Sequence, residues 1–245
     1  MVEHLAYTER VGGSSPSPPT SPLSALVRGC AALSVFCAAA ACVWLLAASP
    51  AAAEQGTMTF RSVNFDSNDC GANCPQVVVA DGVIETETPQ AFADFARQVA
   101  KAPRLPSLIF MNSPGGNVVA SMELGAEFRK LRAAVVVAGY ATVGTRSGPV
   151  AGQCLSACVY ALMGATRRVA PPDSRLGLHR MSLEAPGDKG GGLADRRLVA
   201  ILARYAAQMG VSPALVWSAE SQTPGALHIL SPAEIARWRL AATRF

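Results

Sequence analysis

The sequence predicts an α/β domain built around a largely parallel sheet, and two observations indicate this class. From Met58 to the C-terminus, short apolar runs alternate with longer amphipathic stretches, as strands and helices do in α/β proteins. The run Ala133–Ala138 is apolar without interruption, which is typical of a parallel strand covered on both faces. Leu105–Met111 is predicted as a second buried strand.

The first elements each carry a local signal. Met58–Asn64 alternates between apolar and polar residues as a strand does. Gln76–Glu85 predicts a hairpin, because Asp81-Gly82 between two apolar runs is a preferred two-residue turn. Thr88-Pro89 predicts the start of a helix, with Thr as the N-cap and Pro in the first helical position.

The elements that follow are predicted in the same way. Asn117 is expected to cap a second helix, and Tyr140–Gln153 is predicted as a loop because it is rich in Gly, Thr and Ser. A third helix is predicted over Ser156–Met163. The remaining predicted elements are strands over Arg168–Ala170, Arg175–His179 and Ala226–Leu230 and helices over Leu193–Met209, after Ser212-Pro213 and after Ser231-Pro232.

The N-terminal part of the chain predicts export. Arg28 precedes the uncharged apolar run Gly29–Leu46, and small residues follow it up to Ala53. This order describes a secretory leader cleaved after Ala53, although the run also approaches the roughly 20 residues that span a bilayer. We therefore divide the chain into a disordered segment 1–28, a signal peptide or membrane anchor 29–53, and an α/β domain 54–245.

The cysteines of the domain form two local pairs, Cys70 with Cys74 and Cys154 with Cys158. In an exported chain an even number of cysteines indicates disulfides, and we expect each pair to be oxidised. The spacing alone does not determine the partners. Zinc is the alternative ligand for four cysteines, but three residues separate the members of each pair, whereas zinc knuckles use two. We therefore expect no metal.

The charge pattern gives little support for nucleic-acid binding. The net charge is +4, and the basic residues are scattered arginines with no basic block among aromatic residues. Scattered arginines are more often part of a solvated surface.

The segment Asn112-Ser-Pro-Gly-Gly116 lies between a predicted strand and a predicted helix. Glycines let the backbone turn its N–H groups toward a ligand, and the helix N-terminus adds positive potential. Such donors can hold the oxyanion of an acyl-transfer intermediate. An ordinary strand-to-helix turn is the alternative interpretation of the same pattern.

Ser156 and His179 are the candidate reactive side chains. Ser156 lies among small residues directly before a hydrophobic helix, where the helix dipole would favour an alkoxide. Taken alone, this position favours the alternative of an ordinary N-cap serine, which is one of the commonest roles of serine. Beyond the leader, His179 and His228 are the two histidines of the sequence. A histidine base, if one operates, is therefore one of these two.

Taken together, these segments resemble the Clp protease/crotonase superfamily, and in particular its exported Clp protease-like branch in bacteria. The matching segments are the Asn112–Gly116 loop, the serine segment Cys154–Cys158, the Arg-x-x-x-His pattern Arg175–His179 and the late segment Leu230–Glu234. The resemblance extends over about Gln76–Leu240. It implies a Clp protease/crotonase-like fold of repeated strand-strand-helix units with a largely parallel sheet.

The resemblance also implies roles for individual residues. Ser156 would be the nucleophile and His179 the general base. The N–H groups of Gly115, Gly116 and Ala157 would form the oxyanion site. The implied substrate is a peptide or protein, no cofactor is needed, and a homo-oligomer would be consistent with the family.

One role of the family remains unassigned. The Clp family has an acidic or amide third residue after the histidine, and no acid in this sequence stands in a matching motif. The candidates are Glu220, Glu234, Asp188 and Asp195. The resemblance therefore implies either an exported serine peptidase-like hydrolase or a catalytically inactive module that binds peptides or partners in the periplasm.

Two other chemistries of the superfamily fit less well. Acyl-CoA chemistry uses a similar oxyanion loop, but coenzyme A is cytoplasmic. A Ser–Lys dyad would require Lys130 or Lys189, and neither lies in a matching motif. We thus expect a hydrolase that is free in the periplasm or anchored in the inner membrane by residues 29–48.

Overall fold

The computed structural model describes residues 56–64, 75–99, 107–144, 146–183, 192–193, 196–223 and 225–244. The predicted leader lies outside the described residues. The predicted disulfide between Cys70 and Cys74 also lies outside them. In the ranges given, no helix is both long and apolar enough to span a bilayer.

The elements, in chain order, are β1 (Thr59–Asn64), β2 (Gln76–Asp81), α1 (Thr88–Val99), β3 (Leu108–Asn112), α2 (Val118–Lys130), β4 (Ala134–Val143), β5 (Arg146–Ala151), β6 (Gln153–Leu155), α3 (Cys158–Gly164), β7 (Arg167–Val169), β8 (Arg175–Leu178), β9 (Ser182–Leu183), β10 (Gly192–Leu193), α4 (Arg196–Gln208), α5 (Ala214–Glu220), β11 (His228–Ile229) and α6 (Pro232–Arg237).

The central sheet confirms the predicted α/β class. Its strands lie in the order β1-β2-β3-β4-β5, and β7 pairs with β4. The pairs β2–β3, β3–β4 and β4–β7 are parallel, whereas β1–β2 and β4–β5 are antiparallel. The sheet is therefore largely parallel, and the first unit, β1-β2-α1, has the predicted strand-strand-helix order.

The two faces of the sheet are covered differently. Alternate residues of β2, β3 and β4 point to opposite faces, as the two-residue period of a strand requires. Val78, Ile109 and Val135 belong to the main core under the helices. Val79 and Phe110 belong to a smaller apolar cluster on the other face. Burial on both faces explains why these strands are continuously apolar in sequence.

The predicted hairpin over Gln76–Glu85 is wrong. Beyond Gly82 the chain does not fold back on β2, because β1 and β3 already occupy both edges of that strand. Instead Val83 bridges to Thr57, and Ile84 bridges to Gly116 of the glycine loop. The chain after β2 thus supports the loop that follows β3.

The predicted loop over Tyr140–Gln153 is also wrong. β4 continues to Val143 and pairs antiparallel with β5, so this segment forms a hairpin that turns at Gly144. The sequence of β5 does not indicate a strand, because Gly and Pro have low strand propensity. Pro149 is tolerated because β5 is an edge strand, where the missing N–H leaves no partner unsatisfied.

Helices α2 and α3 cross with their backbones in contact. A Cβ atom on Gly164 would lie 2.1 Å from the carbonyl oxygen of Gly125, so position 164 requires glycine. All seven residues of α3 are buried. This close crossing fixes the N-terminus of α3, which the candidate serine precedes.

A small three-stranded sheet joins the central sheet to the C-terminal part of the chain. β6 pairs in parallel with β8, and β11 pairs antiparallel with β8. On its other edge β6 contacts the end of β3, since Ser113 N–H donates to Gln153 O at 2.8 Å and Leu155 N–H donates to Ser113 O at 3.1 Å. The chain ends of β3, β6 and β8 therefore meet in one place.

The start of α6 forms the capping box that the sequence predicts. Ser231 Oγ accepts from Glu234 N–H, and Glu234 Oε2 accepts from Ser231 N–H at 2.8 Å. The other carboxylate oxygen of Glu234 lies 2.8 Å from Nε2 of His228. Hydrogen bonds from the backbone and side chain of Ser231, and then the contact with His228, lower the pKa of Glu234 to about 2.

We predict that this capping box contributes to stability in a pH-dependent way. Because the pKa of Glu234 is lowered by folding, its contribution is present above the ordinary value of 4.5 and is lost as the pH falls toward about 2. Glu234→Gln should therefore flatten the dependence of unfolding free energy on pH between these values, as measured by urea denaturation. Ser231→Ala should lower the free energy of unfolding by about 1 kcal/mol at neutral pH, because it removes the N-cap hydroxyl. An acid slope identical in Glu234→Gln and the unmodified protein would contradict the prediction.

Candidate active site

Ser156 lies on a tight turn between β6 and α3. Its φ of 54° places it in the left-handed region, where a residue with a Cβ is strained by about 1–2 kcal/mol. The turn is held because Ser156 N–H donates to Gly177 O of β8 at 2.8 Å. This backbone conformation projects the half-buried serine side chain into the space in front of β8.

Cys154 and Cys158 are joined by a disulfide that spans the same turn. Cys154 belongs to β6 and Cys158 is the first residue of α3, and both are fully buried. The bond thus links the strand before Ser156 to the helix after it, and it joins the two cysteines that the sequence analysis pairs.

The second predicted disulfide has a different outcome. Cys70 and Cys74 are not among the described residues. The pairing of Cys70 with Cys74 stays a prediction that rests on their spacing and on the predicted export of the chain.

His179 follows β8 and contacts Ser156. Its Nε2 lies 2.7 Å from Ser156 Oγ. Its Nδ1 lies 2.7 Å from the carbonyl oxygen of Arg180. A carbonyl oxygen can only accept, so Nδ1 carries the proton and, in the neutral ring, Nε2 is the acceptor for the serine hydroxyl. This is the tautomer that a general base for Ser156 requires.

The Gly115-Gly116 loop lies directly beside the serine. Gly115 and Gly116 have φ values of 112° and 137°, which side chains rarely adopt. A Cβ atom on Gly115 would lie 2.8 Å from the Cβ of Ser156 and 2.7 Å from the carbonyl oxygen of Leu155. The loop can therefore approach the serine turn only because it lacks side chains.

The three N–H groups proposed from the sequence as oxyanion donors differ in availability. Gly115 N–H donates to Ser113 Oγ at 3.1 Å and is occupied. The N–H groups of Gly116 and Ala157 donate to no other described residue. Gly116 is exposed, and both it and Ala157 line the cavity that contains Ser156. Gly115 thus shapes the loop, and Gly116 and Ala157 are the available pair of donors.

A cavity of about 660 Å³ opens in front of Ser156 and His179. None of the described residues that line it is Asp, Glu, Lys or Arg. Its apolar wall comes from α2, α3, α4, the end of β8 and the short segment between β8 and β9. It consists of Val118, Val119, Tyr160, Leu178, Met181 and Leu198. The cavity therefore offers an apolar surface beside the serine.

Of the four candidate acids, Glu220 and Glu234 are described, and neither hydrogen-bonds to the His179 ring. Glu234 contacts the second histidine, His228, instead. Asp188 and Asp195 lie outside the described residues. Glu220 accepts from the backbone N–H of Met181 at 3.1 Å. The Nδ1 partner of His179 is a main-chain carbonyl, which no side-chain motif could have revealed.

A Ser–Lys dyad and a metal site are the alternatives to a Ser–His site. Lys130 belongs to the C-terminal turn of α2, where its ammonium group pairs with Glu127 at 2.5 Å and not with Ser156. Lys189 lies outside the described residues. Across the described ranges, no group of three His, Cys, Asp or Glu side chains is arranged to hold a metal ion.

The comparisons with known proteins find similar solved structures but no matching sequence family. No family model matches the chain, and no curated protein matches it. A mutant of a membrane-bound stomatin-specific protease is 16% identical, with a TM-score of 0.46 over 69% of this chain and 78% of its own. Another mutant of that protease, in complex with a substrate peptide, is 17% identical, with a TM-score of 0.46 over 69% and 74%.

ClpP1 from Listeria monocytogenes is 21% identical to this chain, with a TM-score of 0.45 over 67% of this chain and 88% of its own. These identities and superpositions are low. The function must therefore be inferred from the geometry of the site itself.

We predict that the disulfide on the serine turn stabilises the protein modestly. Closing so short a loop constrains the unfolded chain by about 2 kcal/mol in the chain-entropy model. In a background that carries Cys70→Ala and Cys74→Ala, a reductant acts on the Cys154–Cys158 bond and should lower the unfolding free energy by about that amount. Urea denaturation with and without reductant measures it.

The matched control adds Cys154→Ala and Cys158→Ala to the same background. Its unfolding free energy should not respond to reductant. Equal stability of the parent protein in both conditions, or free thiols at both positions in peptide maps of the oxidised protein, would contradict the prediction.

Proposed function

We propose that this chain is a serine hydrolase that cleaves peptides through an acyl-enzyme, with Ser156 as nucleophile and His179 as general base. The observation that carries the proposal is the 2.7 Å contact between Ser156 Oγ and His179 Nε2, together with the Nδ1 contact that sets the tautomer. A nucleophile and a base at this distance, with the base oriented by a third group, form the arrangement that covalent catalysis requires.

In the acylation step, Ser156 Oγ attacks the carbonyl carbon of the scissile bond while His179 Nε2 takes the hydroxyl proton. A bond forms between Oγ and the carbonyl carbon, and the carbonyl oxygen becomes an oxyanion. The N–H groups of Gly116 and Ala157 would donate to this oxygen. The C–N bond then breaks, and His179 gives its proton to the leaving amine.

In the deacylation step, a water molecule replaces the amine. His179 Nε2 takes a proton from the water as its oxygen attacks the ester carbonyl. The oxyanion forms again at the same two donors, the bond to Oγ breaks, and the proton returns from His179 to Ser156. The carboxylic acid leaves and the site is restored without a cofactor.

The fixed hydrogen bonds of the site support this sequence of steps. Arg180 O accepts from the protonated Nδ1 throughout, so the ring keeps its orientation while Nε2 gains and loses a proton. The neutral carbonyl stabilises the imidazolium less than a directly bonded carboxylate would. Turnover is accordingly expected to be slow relative to that of hydrolases with a full Ser-His-Asp triad.

The location proposed for this activity is outside the cytoplasm. The apolar run Gly29–Leu46, with its basic flank and its small residues, supports export. The Cys154–Cys158 disulfide supports the same location, because disulfides persist in oxidising compartments. The protein would act in the periplasm, either free or anchored in the inner membrane through residues 29–48.

We predict that a fluorophosphonate probe labels the oxidised protein at Ser156. Ser156→Ala should abolish labelling, because the probe needs the hydroxyl, and His179→Ala should slow labelling by at least about 100-fold, because no base remains. Ser156→Ala keeps the Cβ and so leaves the backbone strain of the turn unchanged. Mass spectrometry of the labelled peptide identifies the modified residue.

Ser147→Ala is the matched control, since Ser147 lies in β5 and does not line the cavity. It should label at the rate of the unmodified protein. Labelling that persists in Ser156→Ala would remove Ser156 from its role. If the folded, oxidised protein neither labels nor cleaves any peptide or ester in a library, the alternative of a peptide-binding module replaces the hydrolase.

We further predict a preference for substrates with an apolar residue on the acyl side of the scissile bond. Burying a leucine side chain against the apolar wall is worth roughly 1.5–3 kcal/mol, which corresponds to about 10- to 150-fold in kcat/KM over an aspartate at the same position. A series of peptide esters that differ at this residue measures the preference.

The variant Val119→Asp tests the wall itself. Val119 lines the cavity in the first turn of α2, where an aspartate is compatible with the helix N-terminus. The substitution should reduce the preference for leucine by about tenfold, because it introduces a charge beside the bound side chain. Val143→Asp, on the exposed turn of the β4–β5 hairpin, is the control. Equal rates for leucine and aspartate esters in the unmodified protein would contradict the predicted preference.

A further inference from the structure

The hydrogen bond that orients His179 belongs to a peptide group with a second partner. The carbonyl of Arg180 accepts from His179 Nδ1–H at 2.7 Å. The N–H of the same peptide group belongs to Met181 and donates to Glu220 Oε1 at 3.1 Å. The carboxylate and the imidazole thus bind opposite ends of one amide.

Such an amide couples its two partners electrostatically, because a hydrogen bond at one end polarises the other end. A carboxylate that accepts from the N–H draws the proton toward itself and increases the negative charge on the carbonyl oxygen of the same group. The carbonyl then becomes a stronger acceptor for Nδ1–H. It also stabilises the positive charge that develops on the ring when Nε2 takes the serine proton.

The position of Glu220 in the fold is unfavourable for a negatively charged carboxylate. It is the last residue of α5, where the helix dipole is negative and a carboxylate is unfavourable. Its side chain is half-buried, which adds a desolvation cost. A residue that opposes both local preferences and makes a specific contact beside a reactive histidine is a candidate for function.

The body of α5 holds Glu220 in place. Leu215, Val216 and Ala219 are buried in the main core, so the end of the helix is fixed relative to the cavity. The charge of Glu220 also acts on the cavity wall. The pKa of Tyr160 is raised mainly by burial and additionally by the negative charge of Glu220.

We propose that Glu220 is a positioning residue for His179 and that it acts through the peptide group between Arg180 and Met181. The proposal rests on the hydrolase function proposed for Ser156 and His179. In a Ser-His-Asp site, a carboxylate accepts directly from the imidazole ring. Here the peptide group between Arg180 and Met181 lies between the Glu220 carboxylate and the His179 ring. Glu220 orients the carbonyl that fixes the tautomer, and its charge supports the imidazolium during proton transfer.

The variant Glu220→Gln separates charge from structure. Glutamine has the same shape and retains a carbonyl oxygen that can accept from Met181 N–H, but it carries no charge. A purely structural contact would therefore be restored by glutamine, whereas an electrostatic role would not. Glu220→Ala removes both the acceptor and the charge.

The reaction with a fluorophosphonate probe provides the kinetic measurement on the full oxidised protein. The rate at saturating probe, kinact, should fall on the order of tenfold in Glu220→Gln, because the imidazolium formed in the transition state loses a nearby charge. The probe concentration at half-saturation should not change, since Glu220 does not line the cavity. Glu220→Ala should lower kinact further.

Glu127→Gln is the matched control for the loss of one carboxylate. Glu127 lies nine residues beyond Val118 in α2, about 13 Å along the helix axis from the cavity end, and it pairs with Lys130. Its kinact should remain within about twofold of the unmodified value, because surface ion pairs contribute little. An unchanged kinact in folded Glu220→Gln would overturn the proposal.

A second measurement does not depend on turnover. In ¹⁵N-labelled protein, the Nδ1–H proton of His179 should resonate far downfield and move upfield in Glu220→Gln, because the Arg180 carbonyl becomes a weaker acceptor. A resonance at the same position in both proteins would overturn the proposal. If the unmodified protein does not react with the probe, the hydrolase function fails, and this proton signal still decides whether Glu220 acts on His179.

Discussion

The candidate site depends on the pairing of β6 along both of its edges. One edge of this three-residue strand bonds to β8, and the other bonds to Ser113 at the end of β3. These two contacts bring together three chain segments that are distant in sequence. The glycine loop follows β3, Ser156 follows β6, and His179 follows β8. Without β6 between them, the loop and the histidine would have no common neighbour.

The same arrangement explains why the serine turn can remain strained. Ser156 has a positive φ, and contacts around it stabilise this strained conformation. Its N–H donates to Gly177 O, and the Cys154–Cys158 disulfide joins the flanking strand and helix. Gly125 and Gly164 let α3 pack directly on α2, which fixes the helix that begins after the turn. Rigid surroundings of this kind preserve a side-chain direction that the local backbone would not adopt alone.

The electrostatic character of the site follows from what surrounds His179. In the proposed acyl transfer, the charges that develop would be stabilised by fixed groups of the site. On the oxyanion side these groups would be the N–H groups of Gly116 and Ala157. On the imidazole side the fixed group is the Arg180–Met181 amide, whose far end contacts Glu220. In the proposed mechanism, backbone groups would therefore supply much of the stabilisation that side chains supply in a conventional triad.

Local sequence signals predicted much of this structure because they depend on a few neighbouring residues. The cap at Asn117, the capping box at Ser231 and the buried strand at Ala134 are all present. The strand register between β4 and β5 could not be predicted in this way. Gly148 and Pro149 have low strand propensity, and it is the long ladder with β4 that makes this segment a strand.

For the site, the sequence alone determined the candidates and their chemistry: a glycine loop before a helix, a serine at a helix start and a scarce histidine. The tertiary structure decided which groups are available to act. In the structure Gly115 N–H donates to Ser113 Oγ, whereas Gly116 N–H donates to no described residue. The structure also gives His179 a backbone carbonyl as its Nδ1 partner. The physical reason is that residue type specifies what a group can donate or accept, whereas its actual partner depends on chain segments brought together by long-range strand pairing.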